Sequence, residues 1–256
     1  MYLDAPGVKL WVIDSGGTGV PIVLLHANTG TSLSWENQIS AFSRAGYRAI
    51  AFDRRGWGKS IAEPSTGPQP GTIAGDLEAL VEQIPLDRFH LVGIAGGGFA
   101  ALDYAAWRPQ RLRSLVVAAS TGQVADEEIR EFVARIEIPG LRKLPAVYRE
   151  VSASYRGGNP EGTKRWRAID EQARQPGFDL QPLRSPNTFA KLAIITTPSL
   201  ILAACADLLA PPALMRIWAG HVKKHEWAII GNTGHALAWE QPEIFNEKVL
   251  EFISRH

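Results

Sequence analysis

Apolar positions follow two alternating periods along the chain. Val8 to Asp14 alternates apolar and polar side chains, which predicts a half-buried strand, and Ser15-Gly16-Gly17-Thr18-Gly19 behind it is a turn. Pro21 to His26 is a short apolar run bounded by turn residues, the pattern of a buried strand, and Tyr47 to Asp53 repeats it. Between them Trp35 to Ala45 has helical spacing. A second helix is predicted over Gly71 to Gln83, with Leu77, Leu80, Val81 and Ile84 on one face. His90 to Ile94 reads as another buried strand, Phe99 to Trp107 as a helix, and Leu115 to Ala119, Ser199 to Ala204 and Trp227 to Ile230 as further strands. Pro242 to Ile253 predicts a closing amphipathic helix. Strands alternating with helices predict a mostly parallel central sheet flanked by helices on both faces.

The stretch 121–196 breaks this rhythm. It has no convincing strand, and it is interrupted at Pro139-Gly140, Gly157-Gly158-Asn159-Pro160, Gln175-Pro176-Gly177 and Ser185-Pro186. Residues 1–120 and 197–256 are therefore expected to form the core, with 121–196 a helical lid over the edge where open α/β sheets bind ligands. Composition changes this picture little. A formal net charge of +1 gives no reason to expect nucleic acid or an anionic membrane as partner. The single cysteine, Cys205, excludes an internal disulfide and supplies no zinc pattern. The N-terminal residues lack the basic and apolar regions of a signal peptide, and no apolar run approaches the roughly 18 residues of a transmembrane helix. A cytoplasmic protein acting on a small molecule, without a metal or organic cofactor, is the expectation; oligomeric state is not readable.

Four segments carry candidate chemistry. Gly93-Ile94-Ala95-Gly96-Gly97 lies between a predicted strand and a predicted helix and has the frame of a G-x-S-x-G nucleophile elbow, with alanine at the nucleophile position. Leu24-Leu25-His26-Ala27-Asn28-Thr29-Gly30 ends the second strand. Asp53-Arg54-Arg55-Gly56-Trp57-Gly58-Lys59-Ser60 is a glycine-rich charged turn. Asp207 and His235 each follow a late strand. Together these resemble the α/β-hydrolase superfamily over essentially the whole chain.

The resemblance implies an α/β-hydrolase fold and a nucleophile, acid, histidine order filled by Ala95, Asp207 and His235. It implies an oxyanion hole from the backbone N–H groups of Gly96 and of Asn28, with Ala27 where the family usually has glycine. The charged turn is similar to the family's D-x-R-G-x-G-x-S turn and is expected to be structural, with its charges paired around it. Thr29, Ser120 and Trp239 are expected to line the substrate pocket. Trp35, Trp57 and Trp166 are further candidates. Ser154-Tyr155-Arg156 and Lys164-Arg165-Trp166-Arg167 are expected either to meet an anionic substrate or to be a solvated basic face. The run His235 to Glu240 is similar to the end of ring-cleavage-product hydrolases.

A methyl group cannot attack a carbonyl carbon, because covalent catalysis needs a heteroatom with a base in reach. Three readings of Ala95 stay open: an alanine placed in an active hydrolase of small, partly apolar ester, lactone or carbon–carbon substrates; a natural member in which Asp207 and His235 activate water or move a proton without a covalent intermediate; and a small-molecule binder without catalysis.

Overall fold

The computed structural model describes residues 1–84 and 86–256. Nine strands form one sheet: β1 (Tyr2–Ala5), β2 (Val8–Asp14), β3 (Pro21–Leu25), β4 (Arg48–Phe52), β5 (Ile61–Ala62), β6 (Phe89–Ile94), β7 (Leu112–Ala118), β8 (Ser199–Ala204) and β9 (His225–Ile230). The order is β1-β2-β4-β3-β6-β7-β8-β9, with β5 on β2. From β4 to β9 every pair is parallel, whereas β1, β2 and β5 add an antiparallel margin. A fully parallel interior must be covered on both faces, and it is. In β3, Val23 and Leu25 face one apolar cluster and Ile22 and Leu24 the other. Helices α2 (Ile73–Gln83), α3 (Gly96–Trp107) and α9 (Pro212–Ala219) fill the first cluster through Leu77, Leu102 and Leu214. On the other face α1 (Glu36–Arg44) and α11 (Pro242–Ile253) contribute Phe42, Phe245 and Val249.

Strands β4 and β6 leave β3 on opposite sides, so strand order reverses at β3. At such a switch point the loops leaving the carboxyl ends of neighbouring strands splay apart and leave a crevice. The loop after β3 carries His26 to Thr29, and the turn after β6 carries Ala95.

The predicted strands over Val8–Asp14 and Ser199–Ala204 and the helix over Pro242–Ile253 have the bounds expected. Helix α3 begins at Gly96, not Phe99, because the elbow turns straight into the helix. Between residues 121 and 196 lie five helices: α4 (Glu127–Ile136), α5 (Ala146–Glu150), α6 (Ala153–Gly158), α7 (Pro160–Glu171) and α8 (Phe189–Ala193). The two ends of this stretch belong to the main core, where Val124, Ile129, Leu192 and Ile195 are buried. Its middle has a separate small cluster: Val147, Val151, Trp166 and Ile169 pack on Ala236 and Trp239, beside the short helix α10 (Leu237–Glu240). No helix among the described residues is long and apolar enough to cross a membrane.

Candidate active site

The turn at Ala95 is held in a conformation that alanine resists. Its φ is 50° and its ψ −114°, a region that costs a residue with a Cβ on the order of 1–3 kcal/mol. The surroundings impose it. Ala95 N–H donates to Ala118 O at 3.0 Å, and the carbonyl of Ala95 accepts from Gly98 N–H at 3.0 Å and Ser120 Oγ at 2.8 Å. The flanking glycines are required sterically: a Cβ at Gly93 would lie 2.5 Å from Gly97 O, and one at Gly97 would lie 2.1 Å from Leu25 O. Strand β3, strand β6 and helix α3 thus meet with no space for a side chain between them.

Ala95, Asn28, Thr29, Gly96 and His235 line one cavity of about 340 Å³. Among the described residues neither the Asn28 N–H nor the Gly96 N–H has a protein acceptor. Gly96 opens helix α3, so its N–H is one of the free donors that every helix N-terminus presents. Two unpaired donors beside the elbow are what an oxyanion needs.

His235 and Asp207 meet behind this cavity, with Nδ1 and Oδ2 2.7 Å apart. The second Asp207 oxygen accepts from the N–H groups of Leu209 and Ala210, each at 2.8 Å, which fixes the carboxylate. Asp207 therefore holds His235 with Nδ1–H donating, which leaves Nε2 as the nitrogen that gains and loses the proton. Burial disfavours the imidazolium, but the charge and hydrogen bond of Asp207, helped by Glu150, outweigh it and push the pKa of His235 up to about 9. Glu240 braces the same loop, its carboxylate accepting from Gly234 N–H at 3.1 Å and Ser152 N–H at 3.2 Å.

The structure brings together Ala95, Asp207, His235, Asn28, Gly96 and Thr29. Trp239 lines a neighbouring hollow of about 40 Å³ with Trp35 and Trp166. Thr29, Glu150 and His235 border both spaces, so the hollow is an apolar annex. Ser120 does not line the cavity. It is fully buried beneath the elbow, where its hydroxyl is spent on the carbonyl of Ala95 and on Gly122 N–H. The basic residues Arg156, Lys164, Arg165 and Arg167 also miss it. Arg165 pairs with Glu36 and Arg167 with Glu171 on the surface, while Arg156 donates to Val147 O and Val151 O. Besides His235, the basic side chains at the cavity are Arg142 and Arg149.

Two charged residues of the site have no signal in sequence spacing. Glu150, at the end of α5, is buried and accepts from Thr29 Oγ1 at 2.6 Å. It reaches the cavity only because α5 packs against Ala236. Arg54 is 2% exposed, yet the turn around it does not pair its charge. Its neighbour Arg55 is clamped by Asp76 at 2.6 Å, and Asp53 accepts from Ser32 and Lys59 N–H. Arg54 has only neutral company: Nη2 donates to Ala27 O at 3.1 Å and Asn28 Oδ1 at 2.9 Å, and the guanidinium lies 4.5 Å from the centre of a Trp57 ring. Burial lowers its pKa to about 9. The bond from Arg54 engages Oδ1 of Asn28 and so orients the amide.

The family profile described as Alpha/beta hydrolase family matches residues 22–248. A 2-hydroxy-6-oxononadienedioate/2-hydroxy-6-oxononatrienedioate hydrolase of Burkholderia vietnamiensis is 27% identical, the alignment covering 98% of this chain and 93% of that protein. A thermophilic esterase of Thermogutta terrifontis superposes with a TM-score of 0.83 at 23% identity, covering 100% of this chain and 98% of the other. The enol-lactonase of Burkholderia xenovorans superposes at 0.82 and 20% identity, covering 99% and 100%. With a match spanning all but the ends and the sheet order, elbow and late acid and histidine loops in place, the chain belongs to the α/β hydrolase family.

Proposed function

We propose that this site is built to hydrolyse a small, partly apolar ester, lactone or activated carbon–carbon bond, with residue 95 as the nucleophile position. The observation that carries the reading is convergence. A strained elbow, two free backbone N–H donors and an acid-locked histidine border one cavity beside an apolar annex. In the complete reaction a hydroxyl at position 95 attacks the substrate carbonyl carbon. His235 Nε2 takes its proton, Asp207 stabilises the imidazolium, and Asn28 and Gly96 N–H hold the oxyanion. The leaving group takes the proton back from His235, and water repeats the cycle on the acyl intermediate. The named activities of the relatives, a dienedioate hydrolase among them, are in keeping with this range. With alanine at 95 the attacking atom is missing, and every other part remains. The test is Ala95→Ser assayed on p-nitrophenyl acetate and butyrate: a gain of about 10³-fold or more is expected. A folded variant with no gain refutes the reading.

A second reading is favoured by one residue, Glu150. Helix α5 carries this carboxylate, which accepts from Thr29 Oγ1 and helps raise the pKa of His235. Glu150 and His235 line the same cavity, and on this reading they act as an acid–base couple that needs no nucleophile, activating a water or shifting a substrate proton. On this reading the unaltered Ala95 protein turns over a lactone or ester, and His235→Ala abolishes the turnover. Undiminished turnover in His235→Ala refutes it. A ligand bound tightly with no turnover from either protein leaves a binding protein.

A further inference from the structure

Arg54 occupies a position that the fold leaves free. In the turn motif it is the variable residue between Asp53 and Arg55, and the structural ion pairing is done by Arg55 with Asp76. A buried guanidinium there needs a reason, since a charge taken out of water without a counter-charge is destabilising. Among the described residues no carboxylate pairs with it. Nε is buried with no partner, and Nη1 makes no hydrogen bond. The side chain borders a second cavity, of about 60 Å³, which shares Asn28, Gly96 and Phe99 with the main one. The positive charge therefore borders a space that shares its Asn28, Gly96 and Phe99 walls with the cavity at the elbow.

We propose that this space is a carboxylate subsite: the ligand of the main cavity carries a carboxylate that reaches past Asn28 and Gly96 to pair with Arg54. The inference rests on reading the main cavity as a substrate site. It adds the substrate class, a carboxylate-bearing ester, lactone or ketone. An anion there supplies the missing counter-charge and accepts from a free N–H of the guanidinium. A carboxylate fits better than phosphate or sulfate. The other walls include Trp57 and Leu183, so few donors remain for a third or fourth oxygen. Gln181 Oε1, buried and unpartnered on the same cavity, is an acceptor. It would repel a carboxylate oxygen, so it faces a hydroxyl of the ligand or a water, and the carboxylate lies on the Arg54 side. Arg142 and Arg149, at the main cavity, attract the same charge from solvent.

The test uses the chain as it stands, because with alanine at position 95 an ester probe survives the measurement. Binding of monomethyl glutarate and its uncharged analogue dimethyl glutarate is compared by calorimetry. The acid is expected to bind at least about thirtyfold more tightly, the scale of a buried charge pair. Arg54→Gln should erase the preference, Arg54→Lys should keep part of it, and Arg149→Gln should leave most of it. A crystal with 4-bromobutyrate should place the carboxylate against Arg54, with no reliance on any variant folding. The subsite is overturned by undetectable or equal binding of the two probes, by a preference that survives Arg54→Gln, by inorganic phosphate binding more tightly than the monoester, or by a carboxylate found only at Arg142 and Arg149. Its failure is distinguishable from failure of the hydrolase reading. If Ala95→Ser gains no esterase activity while the Arg54-dependent preference holds, the chemistry is wrong and the subsite stands. If activity appears without a charge preference, the subsite alone falls.

Discussion

Two walls of the main cavity differ in what they hold. The wall made by the loops after β8 and β9 holds a complete acid–base pair, Asp207 fixed by two backbone N–H groups and His235 fixed by Asp207. The wall made by the turn after β6 carries the proposed nucleophile position, and the side chain there has no heteroatom. Ala95 sits at positive φ, locked by Ala118, Gly98 and Ser120, and near Gly93 and Gly97, where a Cβ would overlap neighbouring backbone. The difference separates shape from reactivity. The elbow's conformation is set by the packing of β3, β6 and α3, so it persists when the side chain has nothing to offer chemically. The histidine wall depends on polar contacts, and it too is intact.

This contrast yields graded predictions. The largest concerns dependence of one wall on the other: once Ala95→Ser has created esterase activity, adding His235→Ala should remove essentially all of the gain, again about 10³-fold in kcat/KM. Activity independent of His235 would break the pairing of the walls. A smaller effect is expected in the elbow frame. Gly97→Ala forces a Cβ to within 2.1 Å of Leu25 O, between backbones that cannot part, and should destabilise the fold by about 3 kcal/mol or more in urea unfolding. A loss below about 1 kcal/mol would mean that the elbow is not locked.

The mildest effects are those of pH. The Asp207 carboxylate holds the His235 pKa at about 9 in the folded protein, above the ordinary histidine value of 6.5. A raised pKa means that the folded state holds the proton more tightly, so this stabilisation is complete below pH 6.5 and lost as pH rises through about 9. Thermal melts should show the protein losing stability over that window relative to His235→Gln. The base is active only when neutral, so kcat/KM of Ala95→Ser should climb over the same range and level off above about pH 9. A rate profile flat from pH 6.5 to 9.5 would contradict the Asp207–His235 coupling.

The parallel sheet was legible because its strands are short apolar runs separated by helical spacing, which is why β2, β8 and α11 agree with their predicted bounds. The misses have physical causes. Strands β1 and β5 are an exposed four-residue edge and a two-residue pairing, too short for any period to appear. Helix α9 starts at Pro212, a residue that punctuates a sequence but also suits the first turn of a helix. In the site, Ala95, Asp207 and His235 stand at positions marked by glycines and strand ends, which a linear sequence displays. The resemblance puts Ser120 at the pocket, yet its hydroxyl serves the elbow from below. Glu150 and Arg54 could not be read in this way. Glu150 reaches the cavity only because α5 packs over Ala236, and the charged turn gave no sign that Arg55 would find a carboxylate and Arg54 would not.

The central claim, that residue 95 stands at a working nucleophile elbow served by His235, is tested most directly by active-site labelling. Ala95→Ser is treated with a fluorophosphonate probe, and the adduct is located by peptide mass spectrometry. The account predicts one adduct, on residue 95, forming rapidly and at least about a hundredfold more slowly when His235→Ala is added. A folded Ala95→Ser protein that stays unlabelled, or is labelled elsewhere, would contradict it.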